Sequence, residues 1–131
     1  MNSVYTLLQT AKVIAVVGLS SKTDRASYQV AAYLQQHGYR IIPVNPKEEF
    51  VLGEQGYATL ADVPVHIDIV NVFRASKDVP PVIADAISIG ADAVWLQLEI
   101  THPEAEDIAR AAGLTVVSDR CIKIDHMQSG L

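Results

Sequence analysis

The sequence predicts an α/β domain wound on both faces of a parallel sheet. Short β-branched apolar runs alternate along it with segments whose apolar residues recur at helical spacing. Glycines, prolines and hydroxyl residues mark the junctions between the two kinds of segment. One junction stands out. The run Lys12-Val-Ile-Ala-Val-Val-Gly-Leu-Ser-Ser21, followed by Arg25 and Ser27, is a buried-type strand breaking at Gly18 into a hydroxyl-bearing loop before a helix. Bare N–H groups and the positive end of a helix dipole make such a junction attractive to phosphate.

The elements follow in order. Val13–Val17 reads as the first strand, and Ala26, Val30, Ala31 and Leu34 lay an apolar stripe along the next helix. Gly38 suits the position just past its end. Residues 39–44 form the second strand, with Pro43 near the carboxyl end, where one lost ladder bond is tolerable. Residues 45–57 read as a loop with a charged stretch at 47–49, and a helical turn is expected near 59–62.

Residues 67–73 are the third strand. Ser76 is expected to cap the following helix, with Pro80 and Pro81 in its first turn. Val82, Ile83, Ala86 and Ile87 supply its buried face, and Gly90 ends it. Residues 93–98 are the fourth strand. Thr101 is expected to cap a helix starting at Pro103, with Ala105, Ile108, Ala109 and Ala112 turned inward and Gly113 as the stop. Residues 114–117 are the fifth strand, and a short polar tail follows.

Right-handed crossovers between five parallel strands give one Rossmann-like domain over residues 1–131, with helices on both faces and strand order 3-2-1-4-5. Ligands of such sheets sit outside the carboxyl ends of the strands, here where strands 1 and 4 would part. The segments after each strand are therefore expected to converge on one crevice: 18–21, 45–47, 73–74, 97–99 and 118–121.

Composition narrows the class. With 131 residues, half of them hydrophobic, the chain can bury a core without disulfide or metal. No apolar run approaches the ~20 residues needed to span a bilayer, and the N-terminus lacks a basic region before an apolar core. A lone cysteine, Cys121, suits a reducing cytosol, so a cytoplasmic location is expected. A net charge of −5 with scattered cations argues against nucleic acid. A small anionic ligand remains compatible with it.

A dinucleotide site asks for G-x-G-x-x-G and an acid ending the second strand. Here Gly18-Leu-Ser-Ser-Lys-Thr23 keeps only the first glycine, and the strand ends in Val44-Asn45-Pro46. No Gly-Lys-Ser/Thr occurs either. The residues point to a phosphate-bearing ligand other than NAD.

At these positions the chain resembles a known family. Val16-Val-Gly-Leu-Ser20, Arg25-x-Ser27, Pro43-Val-Asn-Pro46, Phe73-Arg74, Trp95-Leu-Gln97, Gly113-Leu-x-Val-Val117 and Asp119-Arg-Cys121 look like the small bacterial CoA-binding proteins. Those are similar to the N-terminal domain of the succinyl-CoA synthetase alpha subunit. The resemblance implies a Rossmann-like fold that holds coenzyme A. Gly18, Ser20 and Ser21 would cradle the diphosphate, while Arg25 and Lys47 would supply cations. Asn45 would bond nearby polar atoms, Phe73, Arg74 and Val79 would flank the nucleotide, and Gln97 would line the switch point. Two departures stand out: Glu99 replaces a usual glycine and Ser118 a common methionine. A carboxylate near phosphate repels it unless it turns away or meets a cation.

The resemblance stops short of the synthetase's second domain, which bears the phosphorylated histidine, so a non-catalytic carrier, sensor or partner of a CoA-using enzyme is expected. The alternatives are a small NAD(P)-dependent reductase, an acyl-CoA-handling enzyme using Cys121, or an interaction module without ligand. Phe73 and Trp95 read as core rather than stacking platforms. Cys121 reads as a small buried side chain, because Asp125 and His126 are near it only in sequence. Cys121, His126 and His102 lack zinc-ligand spacing, so no metal site is expected. His37 and His66 read as solvent-facing, and neither nucleic acid nor membrane is an expected partner.

Overall fold

The computed structural model describes residues 3–47 and 49–131; Glu48, in the charged stretch at 47–49, lies outside it, as do Met1 and Asn2. The elements are α1 (Ser3–Thr10), β1 (Val13–Val17), α2 (Ala26–Gln36), β2 (Arg40–Val44), β3 (Ile69–Val72), α3 (Val79–Ser88), β4 (Ala93–Leu96), α4 (Pro103–Ala111), β5 (Thr115–Val117) and α5 (Ile122–Ser129). Two 3-10 turns, Leu60–Asp62 and Ser76–Asp78, precede β3 and α3. All strand pairs are parallel. Helices cover both faces, as a doubly wound sheet requires.

The strand order corrects one expectation. It is β2-β1-β3-β4-β5 rather than 3-2-1-4-5. Val17 of β1 faces Val44 on one side and Val72 on the other. The reason lies in the segment between β2 and β3. Its Tyr57, Leu60, Val63 and Val65 pack on the same face as α3 and α4. Helix α2 packs on the opposite face with α1 and α5. A right-handed crossover that changes face must also reverse direction along the sheet, so β3 returns past β1. The parting of the strands then falls between β1 and β3 rather than beside β4. Pro43 fits this order better than the expected one, because β2 becomes an edge strand whose outer side meets only the short bridge to Tyr57.

Burial on both faces explains the apolar strands. Ala15 and Val17 join one core cluster, while Ile14 and Val16 join the other. Trp95 is fully buried, as expected, and its indole N–H donates to the Arg120 carbonyl at 2.8 Å.

Several local expectations are also corrected. The tail forms α5, and α1 precedes β1; neither was legible, because α5 fully buries only Ile122 and His126 and α1 only Leu8. The N-cap of α4 is His102, not Thr101: its ring nitrogen accepts from the Ala105 N–H at 3.2 Å, and Glu106 returns a bond to the His102 N–H at 2.8 Å. Glu106 is thereby buried, whereas Ile108 is 60% exposed and Ala112 is exposed. Ser76 does not cap α3; its hydroxyl accepts from the Thr101 N–H at 3.1 Å.

The new order has a steric consequence at Gly18. Its φ is +90°, and a Cβ there would stand 2.3 Å from the Phe73 carbonyl oxygen at the end of β3. Only glycine lets β1 leave the sheet that close to its neighbour. Gly18→Ala should therefore lower unfolding free energy by ~2 kcal/mol or more in urea titration.

At the other end of the sheet, His126 of α5 is buried against α2. Its Nδ1 meets the Tyr33 hydroxyl at 2.7 Å, and its ring stands edge-on to Tyr39 and His37. Burial, then the nearby His37, hold its pKa below the ordinary 6.5. In the unfolded chain His126 gains a proton below about pH 6.5, which the folded state resists. Its contribution to stability should fall as pH drops from there through the lower folded value. Denaturant midpoints from pH 7.5 to 5 should show this slope, and His126→Asn should flatten it.

A candidate anion-binding cleft at the parting of β1 and β3

The cleft begins with the loop after β1. The Gly18 N–H donates to the Val44 carbonyl at 2.9 Å, tying the turn to β2. The Ser20 N–H donates to the Ser27 hydroxyl at 3.0 Å, and the Lys22 N–H donates to the Ser20 hydroxyl at 3.1 Å. Ser27 is buried in the first turn of α2, so this bond anchors the loop to the helix. The pattern Arg25-x-Ser27 thus has a physical basis: its serine positions the loop.

These bonds also redistribute the roles expected of the loop. The Ser20 N–H is already engaged, while its hydroxyl accepts from Lys22 and keeps its own proton to donate. The Leu19 and Ser21 amides find no acceptor among the described residues. The N-terminus of α2 opens beside them; Arg25 occupies its N-cap position, and no side chain caps it. Its first-turn amides are left to an external acceptor.

Three depressions meet here. One, of about 270 Å³, is lined by Gly18, Ser20, Ser21, Lys22, Asn45, Lys47, Glu49 and Arg74 among others. A second, of about 310 Å³, extends past Gly18 to Arg25, Ser27 and Phe73. A third, of about 140 Å³, continues from Arg74 to Val17, Val44, Leu60, Val82 and the carboxylate of Asp85. The first two carry four cations (Lys22, Arg25, Lys47 and Arg74) against one carboxylate, Glu49. None of the four pairs with a carboxylate among the described residues. Positive charge is thus concentrated at one edge of a chain whose net charge is −5.

The loop after β2 is held equally firmly. The Asn45 Oδ1 accepts from the Lys47 N–H at 3.0 Å and the Glu49 N–H at 3.4 Å. Its Nδ2 is buried with no partner among the described residues. A buried amide donor without an acceptor is costly, and its place beside the cations suits a phosphate oxygen or ribose hydroxyl. Uncapped helix amides, unpaired cations and this orphaned donor fit a nucleotide diphosphate.

The structure brings together Gly18, Ser20, Ser21, Arg25, Asn45, Lys47, Phe73 and Arg74. It does not bring Val79 or Gln97 to the cleft lining. Val79 is fully buried in the core at the start of α3. Gln97 is buried too, and its Oε1 accepts from Asn71 Nδ2 at 3.1 Å and from the Ile122 N–H at 3.0 Å, bracing β3, β4 and α5. The reordered sheet explains this, since β4 no longer borders the strand parting. Lys22 is a cleft cation that motif reasoning passed over; its place two residues after Ser20 was the available signal.

Glu99 lies outside all three depressions. Its φ is +68°, and its N–H donates to the Asp119 carboxylate at 2.6 Å. The backbone conformation accounts for a glycine preference there, independently of phosphate. Cys121 is partly buried at the start of α5. The neighbouring His126 has its Nδ1 engaged by Tyr33, and Asp125 pairs with Arg120 at 2.7 Å, so neither Nδ1 nor that carboxylate oxygen is free to act as its base.

Similar proteins agree with this architecture. The chain is 42% identical over 120 residues to uncharacterized protein YneT of Bacillus subtilis, covering 92% of this chain and 89% of that one. A solved structure, a hypothetical protein from Pyrococcus horikoshii OT3, superposes with a TM-score of 0.94 at 38% identity, covering 98% and 90% of the two chains. An ADP-forming acetate–CoA ligase II of Archaeoglobus fulgidus is 30% identical over 81 residues, 60% of this chain but 12% of the ligase. No helix among the described residues is long and apolar enough to cross a membrane. The CoA binding domain model matches residues 12–127, from the strand that opens the cleft to the helix that closes the fold, and the chain belongs to that family.

Proposed function

We propose that the chain binds coenzyme A or an acyl-CoA in the cleft between β1 and β3. Its role would be that of a non-catalytic carrier, sensor or partner of a CoA-using enzyme. The observation that carries this reading is the set of four unpaired cations around Gly18 and the uncapped start of α2. The diphosphate would lie over the Leu19 and Ser21 amides and the first turn of α2. Arg74, half-buried where the first and third depressions join, would contact both the charged and the apolar parts of the ligand. Val17, Val44, Leu60 and Val82 in the third depression, which Thr59 and Asp85 also line, would offer apolar surface to the uncharged part.

The same geometry disfavours a nicotinamide dinucleotide. The strand that would carry a ribose-binding acid ends instead in Asn45, with Lys47 two residues on. A thiol-based acyl transfer would need a base for Cys121, and the nearby His126 Nδ1 and Asp125 Oδ1 are held by Tyr33 and Arg120.

In a thermal-shift titration, CoA and acetyl-CoA should stabilise the protein, by about 2.7 kcal/mol at 100 times the dissociation constant. NADH should have little effect. The opposite pattern would overturn the proposal. Arg74→Ala should weaken CoA at least tenfold by calorimetry with the fold intact.

Glu99→Gly separates backbone strain from ligand repulsion. Relief of the left-handed backbone, partly offset by the greater freedom of glycine in the unfolded chain, should raise stability by about 0.5–1 kcal/mol. Affinity for CoA should stay within twofold.

A further inference from the structure

The amino-terminal edge of the sheet, opposite the cleft, carries a second cluster. Asp68 immediately precedes β3 and Asp92 immediately precedes β4. Parallel pairing of Ile69 with Ala93 puts the two carboxylates side by side, and the Ala93 N–H donates to the Asp68 carbonyl at 3.0 Å. His66 lies two residues before Asp68. Its Nε2 stands 3.2 Å from Asp92 Oδ2 and 3.7 Å from Asp68 Oδ1.

We propose that His66, Asp68 and Asp92 form a binding site for a divalent transition-metal ion of the Zn²⁺ type, with water completing its coordination. One imidazole nitrogen and two carboxylate oxygens can all lie within 4.8 Å of one another. Tetrahedral zinc, with ligands at about 2.0–2.2 Å, places its donors roughly 3.3–3.5 Å apart. The two separations from His66 bracket that edge, and the carboxylate oxygens lie within 4.8 Å of each other.

The site is also held in place. Asp68 Oδ2 accepts the Lys12 and Val13 N–H groups at 2.9 and 2.8 Å, which fixes the carboxylate and leaves Oδ1 facing His66. Among the described residues, no Lys or Arg pairs with either carboxylate. The two carboxylates stand side by side with one imidazole between them, and a metal ion would relieve their mutual repulsion. The nitrogen donor favours a borderline ion over Mg²⁺ or Ca²⁺. His66 and Asp92 are 55% and 58% exposed, so an ion can enter without the fold opening.

Calorimetric titration of the full chain with zinc chloride, in chelator-free buffer at pH 7.5, should show one ion bound. His66→Gln and Asp92→Asn should each weaken it at least tenfold, while Cys121→Ser should leave it unchanged. If a variant fails to fold, zinc-dependent shifts of the His66 ring resonances in the unaltered chain serve as the second reading. Absence of binding, loss of binding in Cys121→Ser, or unperturbed His66 resonances would each overturn the proposal. The CoA titration reads the opposite edge of the sheet, so the two outcomes are independent.

Discussion

The approach of Gly18 to the Phe73 carbonyl is the contact on which the carboxyl edge of this sheet depends. A side chain at residue 18 would occupy the space of that oxygen. Without one, β1 can turn out of the sheet directly beside β3, and the loop that follows reaches back to Ser27 at the start of α2. The close approach of β1 to β3 at this edge and the path of the loop toward α2 thus both depend on one small residue with a left-handed backbone. The cations gather around that point because three separate loops end there.

Parallel strands give the sheet two chemically different edges. Every strand delivers its carboxyl end to one side, where Lys22, Arg25, Lys47 and Arg74 surround a site shaped for a diphosphate. Every strand begins on the other side, where Asp68 and Asp92 stand together with His66. An acidic chain can therefore carry a locally positive cleft and, at the opposite ends of the same strands, a cluster suited to a cation. Net charge describes neither edge.

The helices missed by pattern reading make the fold continuous. Helix α5 braces the sheet through Ile122, whose N–H reaches Gln97, and through His126 against Tyr33. Helix α1 is held by the Tyr39 hydroxyl, which donates to the Leu8 carbonyl. Such anchoring relies on a few long-range contacts rather than on an apolar stripe, and a stripe is what periodicity detects. Gln97 and Val79 show the same effect in reverse: both belong to motif-bearing segments, yet their side chains serve the interior.

Local sequence determined the strands, the helices with clear apolar faces, the phosphate-type junction at Gly18 and the absence of a dinucleotide acid. These depend on periodicity, on glycine's backbone freedom and on residues adjacent in the chain. Tertiary structure decided the strand order, because that depends on which face the 57–65 segment covers. Pro43 was the one local hint that β2 lies at an edge. It also decided that Ser27 holds the loop, that Gln97 turns inward, and that His66 meets Asp92. Those pairings join residues far apart in the chain, and only packing of the two layers on the sheet brings them together.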